Sequence, residues 1–184
     1  MTESSHPYAT LTPDVALDAL DSTGLVADGR LLALNSYENR VYQMGVEDGT
    51  SVVAKFYRPE RWTSEAILEE HAYTAELAER EIPVVAPLRL NGATLHTHAG
   101  FRFAVFPRQG GRMPEFDRAG TLERMGRFLG RIHAVGLQAP FVHRPALDID
   151  SFGIQSRDFL RAGDWLPPDL APAWNSVIDH ALDQ

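Results

Sequence analysis

Asp48-Gly49 sits between two β-type runs, Val41–Val46 and Ser51–Tyr57, and ties them into an antiparallel hairpin. A tight turn needs positive φ at its centre, and glycine supplies it without a Cβ clash. A further run, Leu31–Leu34, precedes the pair, and Pro59 ends the third strand. Thr63 or Ser64 then caps a long helix through about Arg80, with Glu65 and Glu69 in the early turns, where the helix dipole favours an anion. Ile82-Pro83 stops that helix, and two more strands follow near Thr94–His96 and Phe101–Phe106, turning at His98–Gly100. Three strands, one helix and two strands predict an α+β fold, a five-stranded antiparallel sheet with one long helix packed on it. Upstream, Thr12 as N-cap and Pro13 at the first helical position begin a short helix that Gly24 punctuates.

Beyond Pro107 the composition changes. Arg108-Gln109-Gly110-Gly111-Arg112 reads as a flexible connector, and the chain past it is helical or irregular. Asp117 is expected to cap a helix to about Val135, with Leu122, Met125, Leu129 and Ile132 at helical spacing. Further helices are expected near Arg157–Ala162 and from Asp169 onward. A lobe boundary is therefore placed at Pro107–Pro114, with residues 1–107 as one lobe and 108–184 as a hinge and the start of a helical lobe. The last helix has no cap, no terminating glycine and nothing evident to pack beneath it, so the chain reads as interrupted.

Composition removes several classes of function. With 44% hydrophobic and 23% charged residues the chain matches ordinary globular domains, so disorder throughout is not expected. A net charge of -8 argues against nucleic-acid binding, which needs clustered Lys and Arg. It leaves room for ATP, whose phosphates need only one or two placed cations and several backbone N–H groups. The sequence has no cysteine, so thiolate chemistry and disulfides are excluded. Met1–Thr10 is polar and no apolar stretch approaches ~18 residues, which predicts a soluble cytoplasmic protein without membrane contact.

Lys55 carries the chemistry. An ammonium at the centre of Val52-Val53-Ala54-Lys55-Phe56-Tyr57 loses hydration unless an anion meets it or it snorkels to solvent from an edge strand. The helix offers the anion. Ala66, Glu70, Tyr73 and Leu77 recur on one mostly apolar stripe, whereas Glu65, Glu69 and Glu76 lie on an acidic stripe suited to water. Glu70 is the carboxylate expected to point at the sheet and receive Lys55. The turn Asn35-Ser36-Tyr37-Glu38-Asn39-Arg40 stands where kinases place a phosphate-covering loop, but it has no glycine. Asn35 and Asn39 tolerate positive φ and Ser36 offers a hydroxyl and an N–H, although a plain hairpin turn explains the string equally well.

These strings carry a family resemblance. Asn35–Tyr42, Lys55–Trp62 and Ile67–His71 resemble bacterial stress-response Ser/Thr kinases of the aminoglycoside-phosphotransferase and choline-kinase type. Phe103–Pro107 resembles their hinge segment, and Gly126, Leu129, Gly130 and His133 resemble their first carboxy-lobe helix. The resemblance implies ATP and magnesium as cofactors, a protein Ser or Thr as acceptor, Ser36 contacting ATP, Lys55 on its phosphates and Glu70 orienting that lysine. It also implies that backbone groups near Val105, Phe106 and Pro107 meet the adenine edge. Glu115 and Asp117, just past the hinge, stand close enough in sequence to approach the ribose or a substrate.

The same family places a His-Gly-Asp catalytic loop and a magnesium-binding Asp further along, and neither string occurs here. The expectation is that this chain binds nucleotide weakly and does not transfer phosphate by itself, with no catalytic or metal residue within it. His143-Arg144-Pro145 and Asp150-Ser151-Phe152-Gly153 imitate the missing motifs, but Pro145 stands where the catalytic carboxylate belongs. Asp148 and Asp150 read instead as turn and helix-cap residues. His96 and His98 share a strand face but lack a third ligand, which favours a surface hairpin over a metal site. His133 reads as a hydrogen-bonded core histidine. The alternatives are a small-molecule kinase acting on an amino sugar or alcohol, and a non-catalytic binding module self-associating through the helix after Asp117.

Overall fold

The computed structural model describes residues 6–184, so Met1–Ser5, the front of the polar leading stretch, lie outside the described residues. The element order is α1 (Pro13–Asp21), β1 (Ala27–Leu34), β2 (Arg40–Val46), β3 (Ser51–Phe56), α2 (Ser64–Glu79), β4 (His96–His98), β5 (Phe101–Pro107), α3 (Thr121–Gly136), a π-helical turn (Ile149–Ile154), α4 (Gln155–Ala162) and α5 (Ala171–Leu182). The five strands form one sheet in the order β1-β2-β3-β5-β4, and every pairing is antiparallel. Gly49 adopts φ 86°, as the β2–β3 turn requires. β1 starts four residues earlier than its apolar run suggests, across a register irregularity between Ala27 and Leu31. The Asp28 carboxylate lies over Gly45 there, in space that a Cβ would occupy.

One face of the sheet is closed by α1 and the other is covered in part by α2. Val52, Ala54 and Phe56 point to one side and join Leu20, Met44 and Phe103 in a core closed by α1. The Phe56 and Phe103 rings stack there at 5.2 Å. By strand alternation Val53, Lys55 and Tyr57 face the other side, where Tyr57, Ala104 and Ile67 of α2 form a second cluster. α2 is thus the helix expected on the sheet, and Thr63 caps it by accepting the Ala66 N–H at 3.2 Å. β4 lies two residues beyond its expected place, because Ala99 (φ 46°) and Gly100 (φ 82°) make the turn.

Asp117 does not cap α3. Gly120 (φ 78°) precedes the helix without a side-chain cap bond, and its left-handed backbone breaks any continuation from Asp117. Leu77, Ile82 and Val135 make a third small core, and the Tyr73 hydroxyl donates to the Ile132 carbonyl at 2.7 Å, tying α2 to α3. Leu122 (65% exposed) and Leu129 (53%) face solvent on α3. His133 is exposed too, contrary to the core histidine expected from its position on the helix.

Residues 6–143 form one compact unit and Arg144–Gln184 a second. In the second, Asp148 caps the π-helical turn by accepting from the Ser151 N–H at 2.7 Å and hydroxyl at 2.6 Å. These bonds hold its carboxyl below the usual carboxylate range, the hydroxyl contributing most. Contrary to expectation, α5 has something to pack on: the Leu182 side chain lies directly over Gly153, in space that a Cβ would occupy. Asp179 of α5 also pairs with Arg157 at 3.2 Å and Arg161 at 2.7 Å.

Candidate nucleotide site

Lys55 reaches its face of the sheet because β3 alternates, and Glu70 meets it because it lies one turn beyond the buried Ala66 and Ile67, on the inward side of α2. The Lys55 ammonium donates to Glu70 Oε1 at 3.2 Å, with the two side chains 24% and 34% exposed. The contact joins the two residues that sequence spacing had matched. It is shielded on one side and open to solvent on the other, which suits a cation that must also receive a ligand. Lys55 is the only lysine in the sequence, all its other cationic side chains at neutral pH being arginine. A compact ammonium rather than a planar guanidinium therefore stands at this one position.

Beside the pair runs an apolar strip that the sequence reading missed. The register aligns Leu34, Val41, Lys55 and Ala104 across four strands, and Leu32, Gln43, Val53 and Phe106 one step along. Cross-strand partners share a face, so both rows lie on the Lys55 side. Leu34, Val41, Val53 and Phe106 are half-buried, and Leu32 is 59% exposed. The signal was available in the alternation of each strand once the Asp48-Gly49 turn set the register.

The β1–β2 loop is braced by side chains. Neither Asn35 nor Asn39 takes positive φ; among the described non-glycine residues Glu60, Glu81, Asn91 and Ala99 do. Instead the exposed Ser36 donates its hydroxyl to the Asn39 carbonyl at 2.7 Å, and Asn39 Oδ1 accepts from the Arg58 N–H at 3.2 Å. Glu38 pairs with Arg61 at 2.5 Å, and the Tyr8 hydroxyl ties the Glu38 and Phe56 carbonyls together from behind, at 3.1 and 3.3 Å. In the hinge strand, Val105 is buried and its carbonyl already accepts from the Leu88 N–H at 2.7 Å. Phe106 and Pro107 are half-buried, and Arg108–Arg112 is exposed and irregular. Glu115 lines a cleft of about 370 Å³ against the start of α3, with Arg118, Arg124 and Met125, while Asp117 is exposed nearby.

Two further residues came from neither spacing nor periodicity. His71 is 3% exposed; its Nε2 lies 2.7 Å from the Tyr57 hydroxyl and its Nδ1 2.9 Å from Thr94 Oγ1. Burial, opposed by Glu70, pushes its pKa down to about 4. Glu69, expected to face water, accepts the N–H groups of Val142 at 2.6 Å and His143 at 2.9 Å. His96 is no open surface residue either: it packs against Phe103 at 5.5 Å, its Nε2 is buried without a hydrogen-bond partner, and burial lowers its pKa. Magnesium, implied by the resemblance, needs several oxygen ligands converging on one point. Among the described residues no three His, Asp or Glu side chains gather so, and by themselves they do not fit the ion.

A strand ammonium paired to a helix carboxylate beside an apolar strip is an arrangement that can hold phosphates at one end and a planar base along the other. The sequence model described as Phosphotransferase enzyme family (APH) matches residues 30–184. The chain belongs to this phosphotransferase family. Among similar proteins, stress response kinase A of Escherichia coli is 44% identical over 182 residues, covering 99% of this chain and 56% of that protein. The serine/threonine protein kinase RdoA of Salmonella typhimurium is 41% identical with the same coverage. The chain thus spans little more than half the length of these relatives. A solved structure of amicoumacin kinase hAmiN in complex with AMP-PNP, Ca2+ and Ami shares the kinase-like fold, with a TM-score of 0.63 and 23% identity over 83% of this chain and 48% of that one. Membership in the phosphotransferase family and kinase-named relatives support a kinase-like function. No helix is long and apolar enough to cross a membrane among the described residues.

Proposed function

We propose that this chain is the ATP-binding part of a Ser/Thr protein kinase that moves the γ-phosphoryl group of ATP to a protein hydroxyl in a cytoplasmic stress response. The observation that carries the proposal is the half-open Lys55–Glu70 contact at the end of the apolar strip. In this arrangement adenine lies along Val41, Val53 and Phe106, with hinge backbone near Pro107 at its edge. The phosphates reach Lys55, which Glu70 holds in place, and Ser36 meets them from the loop. Transfer of a phosphoryl group asks the protein mainly for position and charge neutralisation, and a fixed ammonium supplies both at the α- and β-phosphates. Magnesium would neutralise the remaining charge when bound, with ligands other than a cluster of the described side chains.

The protein acceptor is favoured by the names of the relatives at 41–44% identity. A small-molecule acceptor is the second possibility, favoured by the amicoumacin kinase structure that shares the fold. Equilibrium titration with ATP tests the nucleotide assignment. Lys55→Met is expected to weaken binding on the order of 10- to 100-fold, the loss of one charge-assisted phosphate contact, and Glu70→Gln less. Unchanged affinity in a folded Lys55→Met chain would overturn it.

A further inference from the structure

The Lys55 ammonium has a second neighbour besides Glu70. It lies 4.7 Å from the centroid of the Tyr57 ring, two residues further along the chain, just past the end of β3. Tyr57 is 2% exposed, and its hydroxyl is 2.7 Å from His71 Nε2. His71 in turn reaches Thr94 through Nδ1 at 2.9 Å. A neutral imidazole donates through one nitrogen and accepts through the other, so these contacts form one donor–acceptor chain in either tautomer. His71 follows Glu70 directly on α2. The helix therefore holds Lys55 twice, by a carboxylate and by a ring it pins in place.

We infer that Tyr57 is a positioning residue for Lys55, and that the Tyr57–His71–Thr94 relay fixes the height and direction of the ammonium on the sheet. A lysine side chain has four rotatable bonds and a single carboxylate leaves most of them free. An aromatic face beneath the ammonium attracts it and removes the rotamers that would carry it toward the sheet. The relay explains why two polar groups are buried here: a phenylalanine and a leucine would fill the space, but the hydroxyl–imidazole bond ties the ring to α2. The inference rests on the assignment of Lys55 to the phosphates for its effect on binding, and on geometry alone for its effect on the lysine.

Because Lys55 is the only lysine, its ε-CH2 group gives one lysine signal in a 13C-lysine-labelled sample of this chain. Nuclei above an aromatic face are shielded, so that signal is expected upfield of its free-chain position. Tyr57→Leu should return it to the free-chain position. Tyr57→Phe keeps the ring but frees it, and should move the signal part of the way; His71→Leu should do the same. The double variant Tyr57→Phe/His71→Leu should be no worse than either alone, because both break one bond. ATP affinity should fall on the order of tenfold in Tyr57→Leu. A free-chain signal in the wild type, or a signal that Tyr57→Phe and Tyr57→Leu both leave in place, overturns the inference. If the signal behaves as expected while the chain binds no ATP, the positioning stands and the phosphate assignment falls. If ATP binding needs Lys55 but the signal ignores Tyr57, only the positioning falls.

Discussion

Glu69 and Glu70 are neighbours on α2 and hold different parts of the molecule. Glu70 accepts from Lys55 at 3.2 Å on the sheet, while Glu69 accepts two consecutive amides, Val142 and His143, beyond the end of α3. α2 therefore cannot shift against the sheet without also straining its hold on the 142–143 backbone. Arg131 reinforces the same junction by donating to the Arg80 and Glu81 carbonyls at 3.2 and 3.1 Å.

Replacing Glu69 should loosen that junction and leave the sheet intact. A carboxylate accepting two N–H groups at an exposed site contributes about 1–2 kcal/mol. Glu69→Ala is expected to lower the urea midpoint accordingly and to speed hydrogen exchange at Val142 and His143. Exchange unchanged at those two amides would mean that Glu69 does not hold them in solution.

The buried His71 gives stability a pH dependence. Its imidazole binds a proton near 6.5 when the chain is unfolded but only near 4 in the fold. Between those values the unfolded state holds more protons, so stability falls as pH drops through the window and is fully present above it. Burial drives the shift, with Lys55 and His96 adding to it and Glu70 opposing it. His96, lowered by its own burial, acts in the same direction. Urea midpoints measured at successive pH values should be level above about pH 7 and decline below 6.5, more gently in His71→Leu. An identical decline in the variant would assign the effect to other groups.

Thr63 caps the first turn of α2, the helix that carries Glu70. Its side chain accepts the Ala66 N–H, and losing such a cap costs about 1 kcal/mol. Thr63→Ala should lower stability by that amount in chemical denaturation, while Thr63→Ser should restore most of it. A neutral Thr63→Ala would mean that packing of Ala66, Ile67 and Leu77 alone holds the helix.

Much of this was legible in the sequence because the deciding signals were local. Asp48-Gly49 fixes a register, Thr12 and Thr63 are capping side chains one residue before their helices, and the stripe through Ala66, Glu70 and Leu77 chooses one carboxylate among several. The misses share the opposite character. Glu69 looked solvated because its partners lie 73 and 74 residues away. His71 gave no sign of its role because Tyr57 and Thr94 come from other elements. Asp117 was a sound cap by type, and only the left-handed Gly120 moved the helix start beyond it. The same distance effect hid the packing of α5, whose contact at Gly153 depends on a close approach that no spacing encodes.

An ATP analogue whose terminal acyl-phosphate transfers its acyl group to a nearby amine tests whether Lys55 meets the phosphates, because the chain offers one lysine. The modified protein would be digested and the labelled peptide mapped by mass spectrometry, with and without excess ATP. Labelling is expected at Lys55, suppressed by ATP and weakened in Glu70→Gln. Labelling confined to the amino terminus, or labelling of Lys55 that excess ATP does not suppress, would contradict it.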